Sequence, residues 1–116
     1  MRPERLYLQD ILEASDRIAR LLAGTERRSL PSDERTSGSL LHNLTVIGEA
    51  ASKVSKSFQE QHHEIPWADI VAFRNFIVHE YFGLDWEIVW EAAVQDVPVL
   101  RRQIAAILAT GYSDET

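Results

Sequence analysis

From Leu8 to Leu108 the apolar residues of this chain recur at steps of three and four, and no segment alternates apolar with polar over a useful length. That rhythm is helical and leaves no material for a sheet. A first helix is expected from Pro3 to Ala23. Leu8, Ile11, Leu12, Ser15, Ile18, Ala19 and Leu22 make its inner face; Arg5, Gln9, Glu13, Asp16, Arg17 and Arg20 cover much of the other. Pro3 suits a helix start and Gly24 a helix end. Residues 25–35 are polar, contain Pro31, and read as a loop, with Ser32 or Asp33 capping the next helix. The second helix is expected from Asp33 to Glu60, roughly 40 Å long if continuous and weakest near Gly38. Its core positions are Leu40 or Leu41, Leu44, Ile47, Ala51, Val54 and Phe58. HHEIP, residues 62–66, is a turn, and Pro66 opens a third helix ending between His79 and Phe82. Gly83 breaks the chain and Asp85 caps a fourth helix carrying Trp86, Val89, Trp90, Ala93, Val97, Leu100, Ile104 and Leu108. Pro98 kinks it, Gly111 closes it, and YSDET is a frayed tail. The expected fold is one all-α domain over residues 1–116, an antiparallel bundle of four or five helices.

A chain of 116 residues is long enough for a real core. It has no cysteine. That excludes a disulfide framework, a thiolate zinc site and a cysteine nucleophile together, and it suits a cytoplasmic protein. MRPERLYLQD carries charges where a signal peptide needs an apolar run. No apolar run approaches the roughly 20 residues that span a bilayer. The net charge of −6 argues against broad electrostatic capture of nucleic acid. A small phosphate site is still open, provided it is concave or completed by another chain.

The polar residues worth explaining lie in the most apolar stretch. RNFIVHEY, residues 74–81, follows Trp67, Ile70, Val71 and Phe73 and precedes Phe82. On a helix Arg74 falls on the stripe of Trp67, Ile70, Val71 and Ile77 or Val78. A guanidinium in such surroundings needs a partner, because desolvating an unpaired charge costs several kcal/mol. In one account Arg74 is structural and satisfied by a carboxylate. In the other, Arg74 and His79 face an anionic substrate. Glu49 is the obvious carboxylate. It sits among Gly48, Ala50, Ala51 and Ser52, small residues that let another backbone come close, either the next helix or a second copy of the chain. Adjacent His62 and His63 beside Glu64 have the wrong spacing for a metal site, and His42 lies on a polar flank. Neither a metal nor a cofactor is expected. Five residues is about 140° of helix, so Arg74 and His79 share a face only if the chain turns near His79.

An arginine and a histidine together suit phosphodiester chemistry. A guanidinium binds phosphate oxygens in pairs and stabilises the charge of the transition state. An imidazole moves a proton near neutral pH. RNA brings its own nucleophile, the 2′-hydroxyl. One histidine per chain is thin for a base and an acid, and two chains meeting at this helix would supply both.

Arg74, four residues, His79, one residue, Tyr81 resembles the motif of HepT-like toxins, a branch of the HEPN superfamily of small helical ribonucleases. The likeness extends to IGEAASKVS at 47–55, IPW at 65–67, Asn75, and the run from Tyr81 through Asp85 and Trp90 to DVPVL at 96–100, covering roughly residues 5–108. The resemblance implies a homodimer, joined through the motif-bearing helices, that cleaves RNA without metal in a cleft lined by both motifs. It implies that Arg74 holds the scissile phosphate, that His79 transfers the proton and that Asn75 is a polar auxiliary; Glu49 joins Asn75 as an auxiliary candidate from its own place among the small residues. It further implies a type VII-like toxin–antitoxin system acting on tRNA or mRNA. Its antitoxin, a nucleotidyltransferase of the MntA type, would move AMP from ATP to Tyr81. The sequence departs from the family pattern at His42 and Asn43, where a basic residue is expected. Two other readings stand beside this one. The chain could be a non-catalytic helical subunit that dimerises and docks a nucleotidyltransferase, or Arg74 could be purely structural, paired with Glu49.

Overall fold

A computed structural model describes residues 2–110. The expected all-α bundle is what forms. Its helices are α1 (Glu4–Leu22), α2 (Glu34–Lys53), α3 (Lys56–Gln61), α4 (Trp67–His79), α5 (Trp86–Glu91) and α6 (Val97–Ala109). α1 and α2 pack along their length, α6 covers the other side of α1, and α4 lies on α2. Among the described residues no helix is long and apolar enough to cross a membrane.

α1 buries Leu8, Ile11, Ala14, Ser15, Ile18 and Leu22. Ala14 takes an inner position that the sequence pattern assigns to Ala19, which is exposed. Gly24 stands just past the helix at φ +80°, a left-handed conformation that glycine adopts without strain. Residues 25–35 are not an open loop. Arg27–Ser32 is a 3-10 helix whose Leu30 is fully buried. One apolar side chain in a polar segment anchors it. Asp33 then caps α2 by accepting from the Thr36 N–H at 3.1 Å.

The expected long second helix breaks, and not at Gly38, which lies inside α2. The break is at Val54 and Ser55. Val54 is extended, and the Ser55 hydroxyl accepts from the Phe58 N–H at 3.2 Å to start α3. Glu4 accepts from the Ser55 N–H, and the Gln59 amide donates to the Val54 carbonyl at 3.1 Å. Side chains thus satisfy backbone groups that a broken helix would leave open. The turn at 62–66 closes on itself, with the Trp67 indole N–H donating to the His62 carbonyl at 3.0 Å.

Asp85 caps α5 by accepting from the N–H groups of Glu87 and Ile88. The kink assigned to Pro98 is a π-helical turn, Ala92–Asp96, placed just before it. Pro98 has no N–H, and its ring would press on the carbonyl of Val94 in an unbroken α-helix. The wider turn relieves that pressure. The expected stop at Gly111 and the tail after it lie outside the described residues.

Candidate functional site

α4 is where the apolar stripe of the sequence departs from the usual core. Only Trp67 and Ile77 are buried; Ile70, Val71, Phe73 and Phe76 are half-covered, and Val78 is 56% exposed. Arg74 is set into this half-bare helix by α2. Gly48 lies directly against its stem, and a Cβ there would overlap Cβ and Cγ of Arg74. That accounts for the glycine at 48: α4 is the element that comes close there. The Arg74 side chain is only 20% exposed, and its Nη1 donates to Oε1 of the half-exposed Glu49. The arginine–glutamate pair anticipated from the sequence is therefore present.

One donor of the guanidinium is not satisfied. Arg74 Nε is buried and has no hydrogen-bond partner among the described residues. A buried N–H left unpaired costs about 1–3 kcal/mol. Nε together with a terminal nitrogen forms the edge of the guanidinium that fits an oxyanion bidentately. Glu49 therefore orients the group without exhausting it.

Arg74 also lines a groove of about 380 Å³ between α4 and the segment running from the π-turn into α6, with Leu44 and Ile47 of α2 on its lining. Ile70, Phe73, Val97 and Leu100 make its walls. His79, Asn75 and Tyr81 do not line it. His79 is the last residue of α4 and is exposed, as is Asn75, while Tyr81 is 55% exposed in the 3-10 turn Tyr81–Gly83. Within one chain the structure joins Arg74 to Glu49 and leaves His79, Asn75 and Tyr81 open to solvent.

His42 is exposed, as its flank position suggests, while Asn43 is buried. Its carbonyl accepts from Arg17 Nε at 2.8 Å and its amide donates to the Ser39 carbonyl at 2.9 Å. Asn43 thus ties α2 to α1. His62 contacts Glu64 at 3.5 Å and stacks near Phe58, with ring centroids 4.5 Å apart. Among the described residues no group of three or more His, Cys, Asp or Glu is placed to hold a metal.

Two features were not read from the sequence. One is the groove. The other is Phe82, which is fully exposed. The signal for Phe82 was present in its position, one residue before Gly83 and beyond the end of the helix.

The family model described as "Ribonuclease HepT-like" matches residues 11–107 of the chain. The chain belongs to the HepT-like ribonuclease family. By class it is an endoribonuclease. A relative from Caldanaerobacter subterraneus subsp. tengcongensis, "Putative RNase TTE0752", is 32% identical over 93% of this chain and 96% of its own. "Probable ribonuclease HepT" from Thermococcus cleftensis is 31% identical over 86% of this chain and 91% of its own. "Putative RNase MJ1380" from Methanocaldococcus jannaschii is 26% identical over 91% and 97%. No solved structure matches the chain significantly. The matched range includes Gly48, Glu49, Arg74, Asn75, His79 and Tyr81.

Proposed function

We propose that this HepT-like protein is a homodimeric, metal-independent endoribonuclease toxin whose cleft is lined by Arg74 and His79 of both chains. The observation that carries the reading is the Arg74 guanidinium, gripped by Glu49 on one side and left with an unpaired buried Nε on the other. In that role Arg74 holds the scissile phosphate of the RNA. The 2′-oxygen attacks the neighbouring phosphorus, the bond to the 5′-oxygen breaks, and a cyclic phosphate and a 5′-hydroxyl result. His79 moves the proton that leaves the 2′-hydroxyl and arrives on the 5′-oxygen. Asn75 is a polar auxiliary beside the phosphate, and Glu49 is a positioning residue acting through Arg74. The substrate is tRNA or mRNA.

Tyr81 is the candidate control point. Its phenol is half open to solvent, as a modification site must be. An MntA-type nucleotidyltransferase would transfer AMP from ATP: the phenolic oxygen attacks the α-phosphorus, pyrophosphate leaves, and the proton passes to solvent. The added phosphate would lie on the same helix end as His79 and compete with RNA for the cationic site.

Arg74→Ala and His79→Ala are each expected to lower RNA cleavage by about 100-fold or more, with unchanged helical circular dichroism. Full cleavage by both variants would sink the mechanism. Intact mass after incubation with the nucleotidyltransferase and ATP tests the control point. A gain of whole AMP units in the wild type, absent from Tyr81→Phe, is the expected result.

A further inference from the structure

We propose that Phe82 of each chain seats in the groove between α4 and α6 of a second copy. This rests on the homodimeric reading above and adds the contact that sets its register. Phe82 is 100% exposed, with Tyr81 edge-on to it at a centroid distance of 5.3 Å. Val78, one turn earlier, is 56% exposed. Val78, Tyr81 and Phe82 together make an apolar knob at one end of α4, the kind of surface that soluble chains cover with a partner. Val99, another exposed large hydrophobic residue, lines the groove. The chain therefore carries both an apolar projection and an apolar recess.

The recess favours a neutral occupant over the RNA itself. Glu64, Asp69 and Asp96 line it along with the apolar walls. Three carboxylates stand there against the one guanidinium of Arg74, which already pairs with Glu49, so the recess as a whole repels a polyanion and leaves a phenyl ring unaffected.

The spacing along α4 supports the exchange independently. The groove uses Pro66, Asp69, Ile70, Phe73 and Arg74 from this helix and its N-terminal approach, and the knob follows at 78–82. Let two α4 helices cross antiparallel on a two-fold axis between Phe76 and Ile77. Position 82 of one chain then stands opposite position 71 of the other, beside Ile70 in the groove wall. The same crossing sets position 79 opposite the partner's position 74. Within one chain those positions are turned about 140° apart. One register thus seats the knob and sets each His79 level with Arg74 of the other chain along the crossing. The contact is the same in both directions, so it closes at two copies.

The chain has no cysteine, which makes a cross-link unambiguous. In Phe82→Cys with Ile70→Cys the two thiols of one chain lie about 18 Å apart along the helix, too far for a disulfide. Mild oxidation is expected to give a covalent dimer from this double variant and none from Phe82→Cys alone. Phe82→Ser is expected to raise the dimer dissociation constant at least about tenfold. An equimolar mixture of Arg74→Ala and His79→Ala is expected to regain part of the cleavage, because each mixed dimer keeps one Arg74 and one His79 on opposite chains. A dimer by light scattering that gives no cross-link in the double variant overturns the seat and leaves the homodimer standing. A cross-link in Phe82→Cys alone reports a parallel pairing and also overturns it. A monomer at every concentration removes both readings.

Discussion

α1 and α4 reverse the usual relation between polarity and burial. α1 carries charges along its outer face, yet it buries Leu8, Ile11, Ala14, Ser15, Ile18 and Leu22. α4 is the more apolar helix, yet it buries only Trp67 and Ile77. The difference lies in neighbours. α1 packs against both α2 and α6, whereas α4 packs chiefly on α2 and is separated from α6 by a groove. A helix with apolar residues on more faces than its own fold covers has surface to spare for a second molecule. α1 holds the protein together; α4 carries Arg74 and His79, and the turn that follows it carries Tyr81.

The sharpest way to break that comparison is to truncate each helix in turn. Leu8 is fully buried, and Leu8→Ala is expected to cost about 2–5 kcal/mol in denaturant unfolding. A loss below about 1 kcal/mol would mean that α1 is not the packed side.

Gly48→Ala comes next, because it strikes where the two regions meet. Its methyl group has no room beside Arg74, so a stability loss of about 1–3 kcal/mol is expected. RNA cleavage should fall with it, since the arginine must shift. Unchanged cleavage would show that the Arg74 position is not critical.

The cap of α2 offers a smaller effect with a pH signature. Asp33 accepts hydrogen bonds from the side chain and backbone of Thr36, which hold its carboxyl below the usual range. A lowered folded pKa means stability that is present above the ordinary carboxylate value and lost as pH falls through the folded value. Asp33→Ala should therefore lower Tm at pH 7, and the deficit should vanish in strong acid. A deficit that persists there would assign the effect to something other than the charged cap.

The smallest effect is expected on the bare face. Val78→Ser should leave the unfolding free energy of dilute protein within about 0.5 kcal/mol of the wild type. A larger loss would mean that α4 is better covered by its own chain than its 56% exposure at Val78 indicates.

Much of the site was legible because its signals are local. The run from Arg74 to Tyr81 is contiguous, and the carboxylate that meets Arg74 stands out as the one acid among small residues at 48–52. Asp33, Asp85 and Gly24 act at helix ends through hydrogen bonds or dihedrals that span only a few residues. The break at Ser55 was missed because its reasons come from afar. Glu4, 51 residues earlier in the chain, accepts from the Ser55 N–H, a contact that no local pattern encodes. Leu30 was missed because one apolar residue has no periodicity.

What the amino-acid order determined by itself was the helical class, most of the helix ends and the residues of the motif, since each depends on neighbours within a turn or two. Only the tertiary structure decided that Gly48 would press against Arg74, that Glu49 would take one edge of its guanidinium, and that α4 would stay half uncovered. Those outcomes depend on which helices meet and how closely. A periodic pattern shows which face is apolar, but not whether anything in the same chain arrives to cover it.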